Sequence, residues 1–425
     1  MRFLYLSIGW LSLALGIVGI FLPLLPVSAQ DAVTIPRGIY TVKVPGATGE
    51  APVVRTYLGI QLMPTPRFVG LVTQVSGNTL VLQSQEGHHQ QLDTPERKSH
   101  VHVLSGAGTG FVTDVEQFDP GGIVCSQDVT DWIKPGDRIR LRTHPTISEL
   151  LGATNRFGLG TGTEAADADN VVIWDPETQQ ERVYYFHSTR QRWEEKDVDA
   201  DAGNAAFRFP HGFYIVRRSP GTLRIALSGE IGSDPVLLPV RTGANVFSLP
   251  VNLSGSLDKI VRMDGPHPVQ SGPNASSADI LTFEEPTTGI QRGPFYHSSD
   301  SEDAGWREVG VNDSTAAAQR MDFLSTLILR RDGEAGHVLA EGSLEPPALP
   351  MPSLPPDPEP GEIPLTGELP FPIQLPAGVA LVVEISTDLQ TWTTHANVQL
   401  SGGKATFDLP SGQHRAFYRL RASLN

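Results

Sequence analysis

Apolar and polar residues alternate in short runs along most of the chain. In "KPGDRIRLR", Arg138, Arg140 and Arg142 are interleaved with Ile139 and Leu141, the period of two expected of a strand with one buried and one solvated face. The arginine stripe reads first as a solvent face and second as an anionic-glycan surface. In "FVGLVTQVSGNTLVLQ", two runs of β-formers flank Gly77 and Asn78. That pair accepts the positive φ angles of a tight hairpin, with Leu80 and Leu82 on one face and Val81 on the other. Turn residues interrupt the chain about every eight to twelve residues, a rhythm that predicts an all-β protein. "TISELLG" and "STAAAQRM" are the two stretches that read as short helices.

One 21-residue phrase is written twice, as "ADNVVIWDPETQQERVYYFHS" at 168–188 and "ADILTFEEPTTGIQRGPFYHS" at 278–298, a displacement of 110. Asp169, Pro176, Thr178, Arg182, His187 and Ser188 recur as Asp279, Pro286, Thr288, Arg292, His297 and Ser298. Beyond the histidine the displacement is 113, matching Trp193 with Trp306, Glu195 with Glu308, and Arg217-Arg218 with Arg330-Arg331. A three-residue loop insertion near "SDSEDAG" accounts for the change. So long a period marks a duplicated domain and not a solenoid unit. From 345 to 372 proline dominates, which favours an extended polyproline spacer. The tail then offers "ALVVEISTDLQTWT", "KATFDLP" and "AFYRLRASL" as strands of a small module.

The expected architecture is an N-terminal barrel or sandwich, two related β-sandwich-like repeats and a small C-terminal β-module. Its boundaries are a signal peptide at 1–29, an N-terminal β-domain at 30–143, repeat 1 at 144–235, repeat 2 at 236–345, a proline-rich linker at 346–373 and the module at 374–425. Arg2, an apolar run at 3–25 and the small residues Val27, Ser28 and Ala29 have the form of a secretory leader. The run is also long enough for an uncleaved anchor. No later stretch is apolar enough to span a bilayer, so no membrane span follows once the leader is removed. A single cysteine, Cys125, excludes an internal disulfide, and the net charge of −15 disfavours nucleic acid and anionic lipid.

"GIYTVKVPG", "FVGLVTQVSGNTLVL", "LSGAGTGFVTDV", "KPGDRIRLRTHPTISELLG", the two "AD…YHS…W" copies and "GFYIVRR" occur in that order. Together, over about 35–344, they resemble a family of uncharacterised exported proteins of verrucomicrobial bacteria. "EISTDLQTWT" with "FYRLR" resembles a small β-module that closes many secreted proteins of that lineage. The resemblance implies export and an all-β fold, and carries no activity over to any residue.

Motifs of catalysis are missing. No G-x-S-x-G elbow, no H-E-x-x-H zinc motif and no Lys-Ser/Thr-terminated phosphate loop occurs. His100 and His102 share a strand face at a spacing usable for a metal, but no third ligand accompanies them. "DVDADAG" sets Asp197, Asp199 and Asp201 at alternate positions, as in calcium loops, but its glycine comes one position late. A solvated acidic loop is the plainer reading. His187 and His297 follow aromatic runs at matching places and are ligand-binding candidates if those strands stack on sugar rings. Core packing is the simpler account of the same runs. Glu195 and Glu308, each beside its tryptophan, are the carboxylates to screen for glycoside hydrolysis. No catalytic residue is assigned, and no cofactor is expected apart from calcium at the Asp197 loop. The expected function is a noncatalytic structural, adhesive or polysaccharide-binding protein of the cell surface or extracellular space, contacting polysaccharide or cell-envelope components. The alternatives are a secreted carbohydrate-active enzyme and a calcium-stabilised adhesin.

Overall fold

The computed structural model describes residues 32–33, 36–83, 98–119, 122–232, 234–249, 255–261, 263, 267–285, 290–300, 304–311, 320–321, 325–340, 366–370, 379–386, 391–395, 398–401, 404–408 and 415–424. The leader at 1–29, most of the linker at 346–373 and most of the "STAAAQRM" helix lie outside the described residues. Within them the chain is all-β. The helix expected at "TISELLG" is Ile147–Leu151. Thr146 and Glu149 form its capping box, each side chain accepting the other's backbone N–H, at 3.2 and 3.0 Å.

Six strands close a barrel in the order Arg138–Thr143, Phe68–Ser76, Thr79–Leu82, Gly122–Cys125, Val112–Asp119 and Ser99–Val103. The Gly77-Asn78 turn joins two of them as its residues demand, with Gly77 at φ 57°. Phe68, Leu80, Val101, Ile123, Ile139 and Leu141 fill the interior, and Leu237 joins the same core from outside the barrel.

The first sandwich draws on both sides of the barrel. Its larger sheet runs Arg192–Glu195, Gln180–His187, Asn170–Asp175, Phe213–Arg217 and Val54–Leu58. The opposing sheet pairs Arg37–Val44 with Leu223–Ile231. Alternate residues of Arg37–Val44 are buried, so Tyr40, Val42 and Val44 meet Tyr184, Trp193 and Ile215 in one core. The second sandwich repeats this order. Val236–Val240 pairs with Gly336–Ala340, and Gly243–Ser248 leads a sheet through Thr326–Arg331, Ile280–Glu285, Ile290–Ser298 and Gly305–Glu308.

This pairing redraws the boundary expected at 143/144. Arg37–Val44 and Val54–Leu58 belong to the first sandwich, as does Leu62–Met63, and the barrel is an insertion between Leu62–Met63 and Asn170–Asp175. The duplicated unit therefore begins well before the repeated phrase. Pairing between Val54–Leu58 and Phe213–Arg217 spans the whole insertion, and local alternation cannot report a partner so distant.

The register also corrects the alignment of the copies. Ile173 pairs with Arg182 as Phe283 pairs with Arg292, but Val171 pairs with Tyr184 while Leu281 pairs with Phe295. One extra residue enters the second copy at a bulge between Arg292 and Phe295, opposite the step from Leu281 to Phe283. Two more enter the following loop, since His187 faces Arg192 and Ser298 faces Gly305. The three added residues are thus divided between a bulge and a loop. Consequently Phe186 and His297 occupy the same place, each opposite its tryptophan, while His187 corresponds to Ser298. Similarly Arg217 corresponds to Arg331 and not Arg330, because Val216 faces Asn170 as Arg330 faces Ile280.

The C-terminal module is docked on the first sandwich. Arg415–Leu424 pairs with Arg37–Val44 and extends the first sandwich's sheet. Phe417 enters that sandwich's core, where a Cβ on Gly38 would lie 2.8 Å from its ring. Thr366–Pro370, assigned by sequence to the linker, is a strand paired with Lys404–Asp408. No helix of the described residues is long and apolar enough to cross a membrane.

Candidate functional site

A cleft of about 880 Å³ opens where barrel and both sandwiches meet, within the size range of ligand sites. The barrel contributes Asp114, Glu116 and Gln127, the first sandwich Trp174, Asp175, Glu177 and Arg182 with the loop from Ala206 to Gly212, and the second sandwich Arg241 and His337.

Hydrogen bonds across module boundaries fix the walls. Gln179 donates to Ala244 O at 3.0 Å and accepts its N–H at 2.8 Å. Trp174 Nε1 donates to the same carbonyl at 2.8 Å, which anchors its edge while the half-buried ring lines the cleft. Gly212 N–H donates to Val246 O and Ser248 N–H to Pro210 O, both at 2.7 Å. On the barrel side, Leu237 N–H donates to Gly110 O at 2.8 Å, and Arg142 donates to Pro64 O at 2.7 Å and to Glu230 at 3.1 Å. The arginine stripe is therefore a docking seam more than a solvent face. Arg138 is exposed, but Arg142 is 2% exposed and Arg140 is paired with Asp234.

The charges of the cleft largely cancel. Arg208 lies 3.4 Å from Asp114, Arg241 lies 3.0 Å from Glu177, and Arg182 is held by Glu195. Asp175 accepts N–H bonds from Glu177 at 2.9 Å and Thr178 at 3.4 Å, and burial's upward push on its carboxyl is outweighed by them. Burial lowers His211 to about 4, and lowers His337 to about 4 with help from His267 and Arg241. At neutral pH both imidazoles are uncharged. The lining thus presents hydroxyl-matching donors and acceptors, neutral imidazoles and an indole, with no surplus of positive charge.

His144 Nε2 donates to Asp114 at 2.9 Å, an Asp–His arrangement reminiscent of an activated base. Its Nδ1 already accepts Phe209 N–H at 3.1 Å, so no lone pair is left to take a substrate proton. The pair ties barrel to sandwich.

The residues singled out from sequence lie elsewhere. His187 is 6% exposed, and its Nδ1 accepts the N–H groups of Thr189 and Arg190, both at 3.2 Å, capping a turn. Ser298 caps the matching turn by accepting Asp300 N–H. His297 stands edge-on to Trp306 at 5.4 Å and 90°, as Phe186 stands to Trp193 at 5.4 Å and 79°. The two histidines share no site. Glu195 makes two hydrogen bonds to Arg182, at 2.9 and 2.7 Å, one step behind the cleft wall. Glu308, facing Phe295, belongs to the other sandwich, so the two glutamates do not flank one bond. Asp199 pairs with Arg190 at 2.9 Å and Arg192 at 2.7 Å, Asp201 accepts Gly203 N–H at 2.8 Å, and Asp197 is a turn residue at φ 64°. Among the described residues no three His, Cys, Asp or Glu side chains gather as a metal would require. Burial also pushes the Cys125 thiol up to about 12.

Of the cleft, the repeated phrase had singled out Pro176 and Arg182. Trp174, Arg208, His211 and Arg241 carry no motif, and they converge through pairings between distant segments. Comparison with protein-family models, with curated proteins and with solved structures finds no match for this chain.

Proposed function

We propose that the chain is an exported, noncatalytic binding protein of the cell surface or extracellular space, and that it takes a neutral polysaccharide in the cleft between barrel and sandwiches. The supporting observation is the lining itself: an edge-anchored Trp174 beside cancelled carboxylate–guanidinium pairs. An indole face stacks on the apolar face of a sugar ring, and paired polar groups exchange hydrogen bonds with hydroxyls without demanding a charged partner. The leader at 1–29 and the family resemblance support export. A glycan array run with the full chain tests the reading. Binding to neutral polysaccharide without release of sugar supports it. Hydrolysis of the bound glycan makes the protein an enzyme, and absence of binding across neutral glycans ends the proposal.

A further inference from the structure

Four imidazoles gather at the seam between barrel and sandwiches, His211 among them lining the cleft. His100 and His102 lie on Ser99–Val103, a strand with every residue buried. The ring of His100 is 4.6 Å from His144 and 5.4 Å from Phe209, and neither of its nitrogens has a hydrogen-bond partner. His102 Nε2 lies 2.9 Å from Pro235 O, on the connection between the sandwiches. His211 stacks on Phe247 at 5.7 Å with Nδ1 unpartnered. These rings join the inserted barrel to both sandwiches.

Among the described residues, the charges around them leave no counterion free. His100 faces Arg142 and Asp114 across its two flanking strands, and His102 faces Arg140. Arg140 is paired with Asp234, Arg142 with Glu230, which also lies 3.8 Å from Arg37, and Arg208 and His144 share Asp114. Lys98 stands near Asp114 and Arg208, and Asp175, near His211, is engaged in its own turn. A proton placed on His100 would therefore sit buried beside Arg142 with no unpaired carboxylate of the described residues beside it, an arrangement strongly disfavoured in a dry interior.

We propose that this imidazole cluster is an acid-sensitive latch, and that protonating it releases the barrel from the sandwiches while each module stays folded, removing one wall of the cleft. The sign follows from linkage. Burial holds His102 and His211 down to about 4 and His100 well below its ordinary 6.5. Released imidazoles take protons from about 6.5 downward, as free histidine does. The released state binds more protons in that window, so docking is at full strength above it and weakens as pH falls through it.

The test is small-angle scattering of the full chain between pH 7.5 and 4, with far-UV circular dichroism in parallel. The latch predicts an increase in radius of gyration with a midpoint between about 4 and 6.5 and an unchanged β signal. His100→Phe keeps the stacking on His144 and Phe209 without a titrating group, and should move the midpoint down by about half a pH unit or more. His102→Gln keeps a donor for Pro235 O and should shift it in the same direction, which preserves the test if the first variant fails to fold. Constant dimensions down to pH 4, simultaneous loss of the β signal, or an unmoved midpoint in the folded variants would overturn the proposal.

Discussion

Replacing Asp169 by alanine probes the element that both sandwiches share, a buried carboxylate locking the end of one strand to an arginine at the end of another. Asp169 is 1% and Arg217 2% exposed, and Arg217 Nε lies 3.0 Å from Asp169 Oδ2. That nitrogen lies off the hydrogen-bond direction, so the contact is coulombic, while Nη2 donates to the carbonyls of Ser219, Pro220 and Gly221. The carboxylate also accepts the N–H groups of Gly160 at 2.6 Å, Arg218 at 2.7 Å and Ser219 at 2.9 Å. Breaking a buried ion pair from one side costs about 3–5 kcal/mol, and each buried N–H left without an acceptor adds about 1–3 kcal/mol where water cannot reach it. The expected loss is therefore at least ~4 kcal/mol, or roughly 15 °C in the midpoint of a module of about 100 residues. Calorimetry is the assay, because modules of one chain need not melt together. Asp169→Ala should lower the first sandwich's transition and spare the second. Asp279→Ala should do the reverse, since Asp279 accepts Arg331 Nε at 2.9 Å and Gln270 N–H at 2.9 Å in the other copy. Arg217→Met in the Asp169→Ala background should recover part of the loss, because the three N–H groups remain unsatisfied. A fall below about 5 °C, or a fall in the wrong transition, would refute the reasoning.

Four further outcomes are expected. His297→Phe should cost no more than about 1 kcal/mol, since Phe186 fills that place opposite Trp193 and only the hydrogen bond to Ser271 is lost, whereas His187→Ala should cost about 1–2 kcal/mol by orphaning two turn N–H groups; thermal unfolding measures both. Glu284 is 3% exposed, and burial raises its carboxyl above the ordinary value although Gln291 and Tyr57 N–H donate to it. Its stabilising share is complete below the unfolded value near 4.5 and is lost as pH rises through the folded one, so Glu284→Gln should be the more stable protein at pH 8 in urea titrations. Cys125, 0% exposed with its thiol pushed up to about 12, should ignore an aromatic disulfide reagent in the native protein and react fully once denatured.

Local physics made the strands legible and left their partners hidden. The alternation at 138–143 marked a strand, and Gly77-Asn78 marked the hairpin between Phe68–Ser76 and Thr79–Leu82, because each depends on residues close in sequence. Arg142 looked solvated for the same reason. Nothing within ten residues of it reports that Glu230 and Pro64 lie against the barrel wall. The duplication was visible in the shared Asp, Pro and Trp, but identity of letters misled at "YHS". A bulge near Pro294 moves the second strand by one residue, and this places His297 where the first copy has phenylalanine. The cleft was the least legible part, for Trp174, Arg208 and Arg241 meet only through contacts between segments distant in sequence.

The most direct test is the affinity of the intact chain for a neutral polysaccharide, compared among wild type, Trp174→Ala and His297→Phe by calorimetric titration. A site in the cleft predicts at least a tenfold loss for Trp174→Ala, in line with about 1.4 kcal/mol for one stacking contact, and wild-type binding for His297→Phe. Full binding without Trp174, or binding abolished by His297→Phe, would contradict it and return the function to the duplicated strands.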